Sequence, residues 1–197
     1  MSAPFKGGWE ADFEPWRNGL DEVLHQRDAT QVKIMSWGPG QRSPGYEKRV
    51  RICEHLSNGV DSVYIMEQLL REDPRLKQMA DKNLYDAEEV AASEADLVIC
   101  LIPAAGGTGA YGEILKYHEL PYIAPKIRVL IPKEAPKTGG GFIYRASQGI
   151  PEEHVFRYRR TQFETCEDIR AKCSEWVAAV RHKKFMDAWR KSRSPVA

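Results

Sequence analysis

Short apolar runs of strand length alternate with amphipathic segments of helical length from residue 32 onward. The runs that predict strands are 32–36, 62–65, 97–102, 128–131 and 155–158. The segments with a helical spacing of apolar residues are 46–56, 68–79, 87–95, 114–118 and 166–189. Strands that alternate with helices are typical of a mainly parallel sheet covered on both faces. The pattern therefore predicts one α/β domain of the Rossmann-like or flavodoxin-like kind, with a long C-terminal helix.

Single residues within this pattern give more specific expectations. The helix at 46–56 has Val50, Cys53 and Leu56 as its apolar stripe. Pro74 falls inside the segment 68–79, which predicts two helical pieces with a turn at the bond from Asp73 to Pro74. Cys166 and Cys173 are seven residues apart on one helical face, and free cysteines at such positions are typical core residues.

Residues 1–30 differ in character from the remainder. Aromatic and glycine residues come first, and Trp16, Leu20 and Val23 then follow at helical spacing. We expect a loop and a helix that pack on the main domain, residues 31–197. The segment 132–141 is rich in proline, lysine and glycine and predicts a surface loop. The basic end, residues 190–197, predicts a frayed tail.

Composition narrows the partners of this chain. Its 197 residues include 29 basic and 28 acidic side chains, a formal net charge of +1. That balance produces no overall field for nucleic acid or an anionic membrane. No apolar run approaches the ~18 residues of a membrane span, and no secretory signal pattern opens the chain. The four cysteines form no CxxC pair and the five histidines are dispersed, so no metal or cofactor is predicted. We expect a cytoplasmic protein that acts on a small molecule.

The stretch 96–115 carries the candidate chemistry. A strand ends in a glycine-rich turn, Gly106-Gly-Thr-Gly109, and an amphipathic segment with Glu113 follows. In an open α/β sheet, ligands bind beyond the carboxyl ends of strands, where backbone amides and helix N-termini point at them. Glu113 is thus a candidate catalytic carboxylate. The alternative is that it only complements the helix dipole, which favours acids near the N-terminus.

Three segments are expected to meet at this edge of the sheet: 36–40, 66–67 and 103–113. Glycines in the first and third allow close approach of backbone amides to a ligand. Trp37 and Tyr111 can stack on a base, although for each residue taken alone ordinary edge packing is the favoured interpretation. The candidate ligand-binding residues are Ser36, Trp37, Gly38, Asp86, Gly107, Thr108, Gly109 and Tyr111.

Several of these motifs resemble those of enzymes that act on N-glycosidic bonds. Ile34-Met-Ser-Trp-Gly38-Pro39, the strand at Ala95-Asp96, and Gly109-Ala-Tyr-Gly-Glu113 are similar to nucleoside 2-deoxyribosyltransferases. Asp86 sits like the acidic residue which those enzymes carry before that strand. The turn 106–113 also resembles the Gly-Gly-x-Gly-Thr-x-x-Glu signature of phosphoribohydrolases that release cytokinin bases, with Ala110 in place of threonine. TIR-type NAD hydrolases share the plan of a parallel sheet with one catalytic glutamate.

The resemblance, over about residues 32–131, implies cleavage or transfer of an N-glycosidic bond. It implies that Glu113 attacks or stabilises the anomeric carbon, and that the amides of 106–109 hold a phosphate or ribose. One departure concerns Gly107, which stands where the deoxyribosyltransferases carry an acidic residue for the base. Recognition of the base must therefore differ, and the glycine-rich turn favours a nucleotide or dinucleotide such as NAD.

Two other kinds of function fit the same residues. The pocket can bind a nucleotide-derived ligand without turnover, as a sensor or regulatory module, which the change at Gly107 favours. The C-terminal helix has an apolar face of Trp176, Val180, Phe185 and Trp189, which predicts a homo-oligomer and an assembly role. The alternative is that these four residues dock on the protein's own sheet. The basic cluster 157–160 either recognises phosphate or protects a strand edge by its charge.

Overall fold

The computed structural model describes residues 30–57, 61–103, 109–133 and 149–192. Within these ranges, one sheet of parallel strands has the order β2-β1-β3-β4-β5. The strands are β1 (Lys33–Trp37), β2 (Ser62–Ile65), β3 (Leu97–Leu101), β4 (Ile127–Pro132) and β5 (Val155–Tyr158). This order is that of the flavodoxin-like doubly wound folds. The predicted α/β class and parallel sheet are confirmed.

Helices connect and cover the strands. In chain order they are α1 (Tyr46–Leu56), α2 (Met66–Glu72), α3 (Pro74–Lys82), α4 (Leu84–Glu94), α5 (Gly109–Tyr117), α6 (Arg160–Thr165) and α7 (Glu167–Ser192). Short 3₁₀ turns precede β4 at Ala124–Lys126 and β5 at Glu152–His154. The long C-terminal helix is therefore present, and the short α6 was not predicted.

Successive side chains along each strand point to opposite faces of the sheet, and both faces are packed. All five residues of β3 are buried, as expected for a central strand between β1 and β4. On one face, Met35, Val98 and Val129 join a cluster with buried residues of α2 to α5. The neighbouring position on β1, Ser36, instead contacts α1 through Arg49. Both faces of the sheet are thus covered, as the sequence pattern predicts.

Helix α1 has the predicted bounds but a different buried stripe. Arg49, Ile52 and Leu56 are its buried residues, whereas Val50 and Cys53 are half-buried. The expected stripe of Val50, Cys53 and Leu56 was therefore wrong at two of three positions. The physical reason is Arg49: its guanidinium bonds to the end of β1, which turns that side of the helix toward the sheet.

The helices between β2 and β3 follow local capping chemistry. The predicted turn at Pro74 is confirmed, because the Asp73 carboxylate accepts hydrogen bonds from the Arg75 and Leu76 amides and begins α3. Asn83 caps α4 in the same way through the Tyr85 amide. Helix α4 consequently begins three residues before the predicted start at residue 87.

The C-terminal part contains two helices separated by one residue. Cys166 has a φ of 61°, in the left-handed region, and ends α6 before α7 begins. Cys166 and Cys173 are both buried, at 1% and 0% exposure, which confirms their prediction as core thiols. Ile169 and Trp176 are buried on the same stretch of α7.

The chain divides into two compact units. One is Val32–Val177, and the other combines the terminal segments Met1–Gln31 and Ala178–Ala197. In the second unit, the structure describes a hydrogen bond from Lys184 Nζ to the Gln31 carbonyl, at 2.7 Å. The predicted N-terminal loop and helix, and most of the loop 132–141 and the tail, lie outside the described residues. The homo-oligomer stays a prediction.

No helix in the described part of the chain combines the length and the apolar character that a membrane span requires.

We expect Gly45→Ala to destabilise the protein by about 1 to 2 kcal/mol. Gly45 precedes α1 with a φ of +91°, and a Cβ there would lie 3.1 Å from Pro103 Cβ and 3.3 Å from Phe163 Cζ. Urea unfolding measures the change. Gly112→Ala is the matched control, since its Cβ meets no described atom within 4 Å and alanine favours helix α5 by about 0.5 to 1 kcal/mol. Equal midpoints for the two variants would contradict this account.

Candidate functional site

The candidate site lies where the order of the sheet reverses. Strands β1 and β3 are hydrogen-bonded neighbours, with Ser36 opposite Ile99 and Trp37 opposite Cys100. The chain leaves β1 toward β2 on one side and leaves β3 toward β4 on the other. This divergence opens a crevice at the carboxyl ends of the two strands, the usual ligand position in such folds. Gly38 allows the close approach of these ends, since a Cβ there would lie 3.0 Å from the Leu101 carbonyl oxygen.

Glu113 lies in α5, the helix that follows β3, and is half-buried. Its Oε2 is buried and has no hydrogen-bond partner among the described residues. Burial raises the pKa of Glu113 to about 8, with a further contribution from the negative charge of Glu88. The charge of Arg49 opposes this increase, and that of Glu67 adds to it. At neutral pH the carboxyl group is therefore mainly protonated.

Glu88 is a second buried carboxyl group at this site. It lies on α4 at 6% exposure, and its Oε2 also has no hydrogen-bond partner in the described part of the chain. Burial raises the pKa of Glu88, while the nearby charge of Lys116 lowers it. The negative charge of Glu88 in turn disfavours ionisation of Glu113, and carboxyl groups coupled in this way are common at acid/base sites.

Arg49 brings a positive charge to the same place. Its side chain is 4% exposed, and it donates hydrogen bonds to the Ser36 hydroxyl (3.3 Å), the Ser36 carbonyl and the Pro39 carbonyl (3.1 Å). Its Nη1 also lies 3.7 Å from Glu67 Oε2. Ser36 thus holds Arg49 at the end of β1.

Trp37 contributes to the wall of the site through packing. Its ring is 1% exposed and stacks on Tyr117 of α5, with centroids 5.2 Å apart. The Tyr117 hydroxyl donates to the Tyr85 carbonyl at 2.8 Å, which fixes α5 against α4. This contact corresponds to the packing alternative for Trp37, and the stacked pair supports the helix that carries Glu113.

The other predicted residues fall in different places. Asp86 is exposed at the start of α4, where Asn83 Nδ2 donates to it at 2.8 Å. Gly109 begins α5, and Tyr111 lies on that helix, although its side chain is not described. Gly107 and Thr108 lie outside the described residues. The structure therefore brings together Glu113, Ser36, Trp37 and Gly38, and it places Glu88 rather than Asp86 beside Glu113.

Sequence reasoning missed Arg49 and Glu88, whereas it expected Glu67 at this edge of the sheet, within the segment 66–67, without giving it a role. Glu88 is two residues from Asp86, and its burial follows from sharing a face of α4 with Ala91 and Ala92. The available sequence signal was an acidic residue whose helical spacing places it on the same face as these alanines. Arg49 carried a similar signal, because it lies three and seven residues before Ile52 and Leu56.

A separate cavity of about 210 Å³ lies between the sheet and α2 to α4. It is lined by residues from Lys33 and Met35 of β1 to Leu76 and Ala95, and none of the predicted site residues reaches it. Lys33 is the first residue of β1, so this cavity extends toward the opposite end of the strands from Glu113. Within the described ranges, no group of three or more His, Cys, Asp or Glu side chains is arranged to hold a metal ion.

Comparison with known proteins adds no assignment, since the chain matches no protein-family model and no curated protein at a significant level of sequence similarity.

We expect Glu113→Gln to change stability in a pH-dependent way. The folded-state pKa of Glu113, about 8, lies above the ordinary value of 4.5, so the folded protein binds the proton more tightly than the unfolded chain. Stability from this group is present below pH 4.5 and is lost as the pH rises through 8. Glutamine stays neutral and should therefore stabilise the protein more at about pH 9 than at about pH 6.

Urea unfolding of both proteins at the two pH values measures this difference. The exposed Glu119, just beyond α5, provides a control as Glu119→Gln, which makes the same chemical change at an exposed position. An advantage of Glu113→Gln that is equal at both pH values would show that Glu113 ionises normally in the folded protein.

Proposed function

We propose that this protein cleaves or transfers the N-glycosidic bond of a nucleoside or nucleotide, with Glu113 as the catalytic carboxylate. The observation that carries the proposal is the position of Glu113 at the β1–β3 crevice, with a buried oxygen that has no partner among the described residues. A carboxylate there can stabilise or trap the positive charge that develops at an anomeric carbon. The motif resemblance at 34–39 and 109–113 supports the same chemistry.

The reaction needs one carboxylate and one proton. Ionised Glu113 attacks or stabilises C1′ as the bond from C1′ to the base nitrogen breaks, and the base leaves with the electrons of that bond and takes a proton from water. Glu88 does not donate this proton, because its negative charge helps to raise the pKa of Glu113, so it is already ionised where Glu113 ionises. Water or an acceptor base then takes the sugar from Glu113 and releases its own proton to water, which restores the carboxylate.

The proposal keeps part of the ligand-binding set that was predicted from the sequence, without Trp37, which is buried by packing, and without Asp86, which is exposed at the start of α4. We assign the ribose or phosphate to the glycine-rich segment of Gly107, Thr108 and Gly109, and we assign the base side to Tyr111 and the end of β1. Gly38 leaves room at that end for a ligand to approach the backbone. This arrangement requires a small-molecule substrate of the size of a nucleotide.

A sensor that binds without turnover is the second candidate, and one observation favours it. With a pKa of about 8, Glu113 is mainly a neutral acid at pH 7. A neutral carboxyl group donates a hydrogen bond, which suits recognition of a ligand better than nucleophilic attack. The two candidates therefore differ in whether Glu113 ionises when the ligand is bound.

The central experiment is incubation with nucleosides, nucleoside monophosphates and NAD, followed by chromatography for free base. We expect base release by the wild-type protein and a loss of at least about 100-fold in Glu113→Gln, because the variant keeps the shape but lacks the negative charge. Glu119→Gln serves as the control with full activity. Base release by Glu113→Gln at the wild-type rate would overturn the catalytic role of Glu113. A ligand-induced increase in melting temperature without base release would favour the sensor.

We expect kcat/KM to rise with pH up to about 8, since the reactive form of Glu113 is the ionised one. Below that value each pH unit should change the rate about tenfold. Initial rates of base release across the pH range measure the profile. A rate that is already maximal at about pH 5 would contradict the requirement for an ionised Glu113 with a raised pKa.

A further inference from the structure

Arg49 is a buried cation with fixed partners. Three of its hydrogen bonds end on Ser36 and Pro39, at the carboxyl end of β1, and the rigid sheet therefore determines the position of its guanidinium. A Cβ on Gly38 would lie 3.4 Å from Arg49 Cδ, so the side chain crosses directly beside the β1–β3 crevice. An arginine that is held in this way provides a positive charge which cannot turn toward solvent.

Three carboxyl groups interact with the single positive charge of Arg49. Glu67 pairs with it at 3.7 Å, and the charge of Arg49 also acts on Glu88 and Glu113. Lys116, on the exposed side of α5, acts on Glu88. Of the described charges that act on Glu113, Arg49 is the one that favours the carboxylate. Its positive charge is therefore shared between Glu67 and the two site carboxyl groups.

We propose that Arg49 is a positioning residue for Glu113, whose fixed guanidinium stabilises the ionised carboxylate, and that Glu67 limits this effect by neutralising part of the same charge. The consequence for catalysis rests on the proposed function, whereas the electrostatic relation does not. In this arrangement, Glu67 contributes to the pH at which Glu113 becomes reactive, in addition to the larger effects of burial and of Glu88.

Glu67 is the member of this group that can be changed with the least disturbance. Its side chain is 35% exposed, and its distance of 3.7 Å to Arg49 is longer than a hydrogen bond. Its Oε1 lies 3.7 Å from the Cβ position of Gly40, so it borders the segment that follows β1. Glu67→Gln therefore removes one negative charge while it leaves the bonds between Arg49 and β1 in place.

Other titratable groups also face Glu113. Cys100 on β3 and Tyr117 on α5 interact electrostatically with it, and burial raises the pKa of both well above the ordinary values. Both groups therefore stay neutral where Glu113 titrates. Glu88 on α4 titrates as an acid with a raised pKa, so its signal must be followed together with that of Glu113.

The test is a pH titration of the side-chain carboxyl carbons by NMR, with ¹³C-labelled glutamate in the full-length protein. Glu113→Gln and Glu88→Gln assign the two signals. We expect the midpoint of Glu113, about 8, to fall in Glu67→Gln and to rise in Arg49→Gln. Arg49→Lys keeps the charge and should leave the midpoint nearer to that of wild type than Arg49→Gln does.

Glu72→Gln is the matched control, since Glu72 lies on the same helix as Glu67 and its carboxylate pairs with Gln68. A midpoint of Glu113 that is unchanged in Glu67→Gln, or that moves equally in Glu72→Gln, would overturn the proposal. If Arg49→Gln does not fold, the Glu67→Gln and Arg49→Lys proteins still decide the result.

A second readout separates this inference from the proposed function. Where base release is observed, its pH profile should move to lower pH in Glu67→Gln with little change in maximal rate. Opposite NMR shifts in Glu67→Gln and Arg49→Gln, without base release from any nucleotide, would support the electrostatic relation and reject the glycosidase. Base release with the same pH profile in the wild-type protein and in Glu67→Gln would support the glycosidase and reject the electrostatic relation.

Discussion

The parallel pairing of β1 with β3 is the constraint on which the other features of the site depend. This pairing places two strand ends side by side, and the connections that leave them run to opposite sides of the sheet. Helix α1 then brings Arg49 to one wall, and α5 brings Glu113 to the other. A different neighbour for β1 would separate these groups, although each local segment could keep its own conformation.

The burial of ionisable side chains determines the protonation states at this crevice. Carboxyl groups that lack hydrogen-bond partners are costly inside a protein, and they respond by holding their protons. Glu113 and Glu88 both show this response, while Arg49 offsets part of the cost. Positive charge or hydrogen-bond donors at this place would offset more of that cost.

The sequence predicted most of the fold because its signals were local. Periodicity or capping chemistry within a few residues is enough to predict the short apolar strands, the helix at 46–56 and the break at Pro74. The side of α1 that is buried could not be predicted in this way. It depends on bonds between Arg49 and the end of β1, which form only after the helix has packed on the sheet. The same reason explains why Asp86 was selected and Glu88 was overlooked, since the burial of Glu88 is a tertiary property.

Gly38 and Gly45 have a consequence for the recognition of relatives. Both positions are fixed by backbone geometry and crowding, since a side chain would collide with the end of β3 or with Pro103. Selection for a stable fold should therefore preserve both glycines in relatives that keep this fold, whatever ligand they bind. Arg49, Glu88 and Glu113 depend on the chemistry and can be lost together. A sequence pattern that gives most weight to the two glycines would find distant relatives with this fold, and the three charged positions would then show which of them keep the ionisable groups of this crevice.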